Sequence, residues 1–210
     1  MRFLELKNKL GGQLVFTTND IKKIDSGFNV QRLSEWQDKG YIKKVIKGFY
    51  VFSDKELSEE DLFAIANRIY KPSYVSLQSA LRYYNLIPEG VFTITSVSTK
   101  KTQRFDTKIG SFDYRNVKPD LFSDYKIIGD GAKKAKIATP EKAIVDYFYL
   151  NTNFETEEEI SELRISKDSF IDKVDLKKLN KITKKAKNKR MKKRINLLLA
   201  WLNINNYGGF

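Results

Sequence analysis

Gly40-Tyr41-Ile42-Lys43-Lys44-Val45-Ile46-Lys47-Gly48-Phe49-Tyr50-Val51-Phe52 reads as a small basic β-hairpin, and its reading decides the fold of the first quarter of the chain. Two β-rich runs, residues 41–46 and 49–52, flank Lys47-Gly48, where glycine tolerates the positive φ that a tight turn needs. Lys43, Lys44 and Lys47 are expected to cluster on this hairpin. Immediately upstream, the sequence predicts two short helices. Thr17 or Thr18 is placed to cap the first, over residues 20–24, and Asp25-Ser26-Gly27 supplies a turn. Asn29 is placed to cap the second, over residues 30–39, which Gly40 ends. Helix, turn, helix and basic hairpin in that order predict a winged helix-turn-helix over residues 1–55.

In the second of these helices Val30, Leu33 and Trp36 or Gln37 share one face, which is expected to be buried. Asn29, Gln31, Arg32, Ser34 and Glu35 then make the candidate base-reading surface, with Asp38 also outward. Gln31 and Arg32 sit near the helix N-terminus, the end that addresses base edges in the major groove. A small α+β domain of another kind also places two helices before a hairpin, so the order alone leaves both readings open.

Composition points the same way. The 210 residues carry 39 Lys and Arg against 26 Asp and Glu, a net charge of +13 that attracts any polyanion. No run of about 18 apolar residues is present and residues 1–7 lack a long apolar segment, so a cytoplasmic protein with no membrane partner is expected. Absence of cysteine excludes disulfides and thiolate metal sites. Absence of histidine removes the commonest general base and transition-metal ligand, and with them the serine and cysteine triads.

Carboxylate and hard-metal chemistry remains. Pro119-Asp120 and Asp124-Tyr125-Lys126 match the letters of a restriction-type nuclease, but only three residues separate them, too few to put both carboxylates on adjacent strands. Gly110-Ser111 begins like a nucleotidyltransferase signature, yet no Asp-x-Asp follows, and there is no phosphate loop. No catalytic residue, metal or cofactor is therefore expected, and a metal-dependent nuclease would have to be built from Asp106, Asp113, Asp120 and Asp124.

Residues 56–210 form the second expected domain. Ser58-Glu59-Glu60-Asp61 resembles a capping box, and Leu62, Phe63, Ala66, Ile69 and Tyr70 repeat at helical spacing. A helix is expected over residues 76–85, with Leu77, Ala80, Leu81 and Tyr84 inward. Strands are expected over 91–98, 104–109, 111–117 and 125–128, and a helix over 139–150, with Thr139 as N-cap and Pro140 at its first position. The expected class is α+β: a winged helix-turn-helix, then a mixed α/β domain whose small, largely antiparallel sheet is flanked by helices. Residues 181–194 hold nine Lys and Arg and no acid, and Met191, Ile195, Leu198, Leu199 and Leu202 make an apolar stripe. One basic helix, about 176–204, is expected, docked by that stripe. Lys181, Lys184, Lys185, Lys189 and Lys192 become a candidate surface for phosphate or an acidic partner, the alternative being a plain solvated face. Residues 205–210 are expected to fray.

Four segments carry a family resemblance: Pro72-Ser73-Tyr74-Val75-Ser76-Leu77-Gln78-Ser79-Ala80-Leu81, Leu86-Ile87-Pro88-Glu89, Ile94-Thr95-Ser96-Val97-Ser98-Thr99 and Ile137-Ala138-Thr139-Pro140-Glu141-Lys142-Ala143. In this order, across roughly residues 13–150, they resemble the AbiEi antitoxin family of abortive-infection toxin–antitoxin pairs. The resemblance implies a winged N-terminal domain that binds inverted repeats in double-stranded promoter DNA and represses its own operon. It implies a C-terminal domain that counteracts a nucleotidyltransferase-type toxin, without a stable complex in the usual account. Lys43, Lys44, Lys47 and the exposed helix positions are the residues it carries over. A non-enzymatic protein that grips its partner directly is the other binding-class reading.

Overall fold

In the computed structural model, which describes residues 1–88, 90 and 92–204, the chain opens with α1 (Phe3–Leu10), β1 (Phe16–Thr17), α2 (Thr18–Ile24) and α3 (Arg32–Asp38). The hairpin follows as β2 (Ile42–Ile46) and β3 (Phe49–Phe52), and β1 pairs with β3 to give an antiparallel sheet of order β1-β3-β2. Of the two possible threonines, Thr17 caps α2: its hydroxyl accepts from Asp20 N while Asp20 bonds back to Thr17 N at 2.8 Å. Gly48 takes φ +83 at the hairpin turn.

Two expectations for the second helix are corrected. It begins at Arg32, not at residue 30; Asn29 Oδ1 accepts from Gln31 N at 2.9 Å and so shapes the turn before the helix. Val30 lies in that turn and is 48% exposed, so the buried face is made by Leu33 and Trp36 without it. These two pack with Leu6, Phe16, Phe28, Ile42, Tyr50 and Phe52 in a first apolar core, where Phe28 and Trp36 stand 5.5 Å apart.

The hairpin is buried on both faces. Tyr50, Val51 and Phe52 are all buried, and successive strand residues point to opposite sides. Tyr50 and Phe52 therefore enter the first core, whereas Val51, with Val45, Leu14 and Val15, enters a second and larger one.

That larger core belongs to the remainder of the chain: α4 (Glu59–Ile69), β4 (Ser73–Val75), α5 (Leu77–Tyr83), β5 (Thr93–Ser98), β6 (Gln103–Thr107), β7 (Gly110–Asn116), β8 (Tyr125–Ile128), β9 (Ala135–Ala138) and α6 (Pro140–Leu150). Four further helices follow, α7 (Glu157–Glu162), α8 (Lys167–Lys173), α9 (Leu176–Lys185) and α10 (Lys189–Trp201). The class is α+β. The large sheet is not small and largely antiparallel as expected: it has six strands in the order β6-β7-β5-β4-β9-β8, and β5/β7 and β4/β9 run parallel. The short strands β4 and β9, three and four residues long, link β5 to β8 across the sheet. Ser58 caps α4 through the expected reciprocal bonds with Asp61. Thr139 occupies the N-cap of α6, but its hydroxyl makes no capping bond. The first residue of the expected 91–98 strand and the expected frayed end at 205–210 lie outside the described residues.

The single basic helix is also corrected. The chain breaks between α9 and α10, where Lys187 takes φ +49 and Asn188 Oδ1 accepts from Met191 N at 3.0 Å to start a new helix. Met191, Ile195, Leu198, Leu199 and Leu202 are buried as the stripe predicts.

Candidate nucleic-acid interface

α3 packs against β2 through Leu33 and Trp36, which leaves Gln31, Ser34, Glu35 and Asp38 exposed on its outer side, with Asn29 exposed just before it. Arg32 stands apart from them. It is half-buried, its guanidinium donates to Met1 O at 2.6 Å, and its Cζ lies 6.0 Å from the centre of the Trp36 ring. Its charge braces α3 against the start of α1 instead of projecting freely.

The hairpin lysines do not form one cluster. Lys43 pairs across the ladder with Val51 and Lys44 with Tyr50, and cross-strand partners share a face. Lys44 is therefore on the α3 side and exposed, while Lys43 is half-buried on the side that meets the larger core. Lys47 is exposed at the turn. Lys22 and Lys23 on α2 and Lys39 after α3 are exposed as well. The Asp20–Ile24 helix already contained the first two, and their placement at its exposed positions was the available signal.

At the other end of the chain, Lys181, Lys184 and Lys185 are exposed on α9, and Lys189 and Lys192 stand on α10 beyond the break. Lys185 Nζ donates to Ser123 Oγ at 3.0 Å. Arg194 is buried and bonds Thr152 O at 2.8 Å and Glu155 Oε1 at 3.0 Å, so it belongs to the packing of α10 and not to an outward array.

The four candidate nuclease acids do not converge. Asp106 and Asp113 lie on β6 and β7, and Asp106 is held by Arg104 at 3.1 Å and Ser111 at 2.6 Å. Asp120 and Asp124 precede β8, the opposite edge of the sheet. Among the described residues no group of three or more His, Cys, Asp or Glu is placed to hold a metal ion, and no helix is long and apolar enough to cross a membrane.

Two of the segments that carry the family resemblance, residues 72–81 and 137–143, meet inside the fold at Asp146. Tyr74 and Ser76, flanking the end of β4, donate to Asp146 Oδ2 at 2.9 and 2.8 Å, and Lys142, one turn earlier on α6, donates to Asp146 Oδ1. All four side chains are buried. Burial pushes the Asp146 carboxyl above its ordinary value despite the Lys142 ammonium, and pushes the Tyr74 phenol well above its own, with the Asp146 charge adding to it. The network ties α6 to the sheet and presents nothing to solvent. Compared with known proteins, the chain matches no family model and no curated protein.

Proposed function

We propose that the chain is an AbiEi-type antitoxin and autoregulatory repressor, whose first 55 residues are a winged helix-turn-helix that binds double-stranded promoter DNA. The observation that carries this reading is the order helix, strand, helix, helix, hairpin, with sheet order β1-β3-β2 and the Gln31–Ser34–Glu35 face of α3 left open beside Lys44 and Lys47. In this reading α3 enters the major groove, Gln31 and Ser34 meet base edges, and Lys44, Lys47, Lys22 and Lys23 meet phosphates. Arg32 holds the helix in place. The C-terminal α+β domain counteracts a nucleotidyltransferase-type toxin, and the protein itself performs no catalysis.

Gel-shift titration on the upstream promoter across a salt series tests the reading. Gln31→Ala is expected to relax specificity by about 1–3 kcal/mol at the contacted base pair. Lys44→Ala and Lys47→Ala are expected to weaken all sequences alike, each lowering the salt slope by about one unit, whereas Lys43→Ala changes it less. Unchanged operator binding by a chain lacking residues 1–55 would refute it. Co-expression with the adjacent toxin, scored by growth, tests the second half.

A further inference from the structure

Beside β4 and β9 the surface opens into a cleft of about 380 Å³, within the range of small-molecule sites. Four cations line it: Arg68 near the end of α4, Lys71, Lys134 and Lys136. No carboxylate does, and among the described residues none of the four is ion-paired. Arg68 donates one bond to Ala132 O at 2.8 Å, and the Lys136 ammonium lies 5.1 Å from the centre of the Tyr125 ring. Like charges gathered without counter-charge repel one another, and a bound anion relieves that repulsion.

The wall holds a second and independent feature. Asn67 Oδ1 accepts the backbone N–H of Lys136, and because a backbone N–H only donates, the orientation of the Asn67 amide is settled. Its NH₂ end is buried with no partner. Ser73, 3% exposed, also lines the cleft, and its hydroxyl likewise has no partner. Two buried polar groups left unbonded among the lining residues are costly unless something completes them. The remaining wall is apolar, made by Pro72, Ala135 and Ile127, a large aliphatic side chain that is 62% exposed.

We propose that this cleft binds a small phosphate-bearing ligand of mononucleotide class, its phosphate among Arg68, Lys71, Lys134 and Lys136 and its apolar portion against Pro72 and Ile127. A concave site with donors in its wall suits a compact phosphate ester better than a nucleic-acid backbone, which tracks open basic grooves. The proposal stands apart from the DNA-binding reading, since none of these residues lies on α3 or the hairpin.

Isothermal titration of the full-length protein with adenosine 5′-monophosphate, inorganic pyrophosphate and adenosine tests it. The monophosphate is expected to bind at least tenfold tighter than adenosine. Lys71→Gln combined with Lys134→Gln, both exposed and free to change without disturbing the core, is expected to weaken it tenfold or more. Lys184→Gln combined with Lys185→Gln, on a different basic surface, is expected to leave it unchanged. No heat at millimolar monophosphate would overturn the proposal, as would equal weakening by both double variants, the mark of diffuse attraction. Displacement of the monophosphate by a short DNA duplex, lost in the Lys71/Lys134 variant, would overturn it in favour of nucleic-acid contact. Operator gel shifts on that variant separate this outcome from failure of the repressor reading.

Discussion

At the scale of single residues, buried charge is the feature with the sharpest consequences. Lys142 and Asp146 are each 1% exposed and pair one helical turn apart, with Tyr74 and Ser76 completing Asp146. Removing one partner strands the other in the core, so Asp146→Ala or Lys142→Met alone should destabilise the protein by about 3–5 kcal/mol. Lys142→Met with Asp146→Asn keeps an acceptor for both hydroxyls and removes both charges. Its urea midpoint should lie closer to wild type than either single variant, and a double variant as damaged as the sum of the singles would contradict this account. Asp61 gives the pH counterpart. Burial acts to raise its pKa, but the Lys133 ammonium and the bonds from Ser58 outweigh it and hold the carboxyl below its ordinary 3.8. A lowered pKa in the folded state means the carboxylate is favoured by folding. The stability it contributes is present in full above the unfolded value and is lost as pH falls through the folded one. Asp61→Asn should therefore flatten the acid limb of stability below about pH 4, measured by denaturant unfolding at a series of pH values.

At the scale of elements, the break between α9 and α10 shows what helical periodicity leaves out. Met191, Ile195 and Leu198 repeat at helical spacing and are buried, so the stripe was legible. The residues before it, 181–190, hold six Lys and Arg that run on into Lys192, Lys193 and Arg194, and this charge pattern does not reveal a stop. The stop is local: a lysine in the left-handed region followed by an asparagine cap. Lys187→Gly should relieve the backbone strain and stabilise by roughly 0.5–1 kcal/mol, read from the thermal midpoint. An unchanged or lower midpoint would show that the left-handed turn is not where strain resides. The same reasoning explains Asn29, whose side chain satisfies Gln31 N and so shapes the approach to α3 without heading it.

At the scale of the whole molecule, the hairpin joins the two cores. Val51 contributes to one and its neighbours Tyr50 and Phe52 to the other, so the first 55 residues do not unfold without exposing the larger core. Val51→Ala should lower the stability of both parts together by about 1–3 kcal/mol. In a Trp201→Phe background Trp36 alone reports the first core, and its fluorescence transition should coincide with the far-UV circular dichroism transition. Two separate transitions would show that the hairpin does not couple them. The coupling also explains the lysines: a hairpin buried on both faces leaves Lys44 and Lys47 exposed and half-buries Lys43.

By itself the sequence determined the elements whose signals are short-range. Ser58 caps a helix because its partner lies three residues away, the α2 cap was narrowed to Thr17 or Thr18 for the same reason, Gly48 turns the hairpin because only the local backbone is involved, and the α10 stripe follows from helical geometry. The run Phe49–Phe52 was legible as a strand from its β-rich residues. What covers it came only from tertiary structure, because the partners of Val51 are distant in the chain. The same holds for β1, β4 and β9, two to four residues each, which are strands only by virtue of their neighbours. Arg32 looked like a free base-reading side chain until the fold brought Met1 within a hydrogen bond. The cleft cations, residues 68, 71, 134 and 136, converge because β4 and β9 lie side by side, a pairing across about 60 residues that no local pattern encodes.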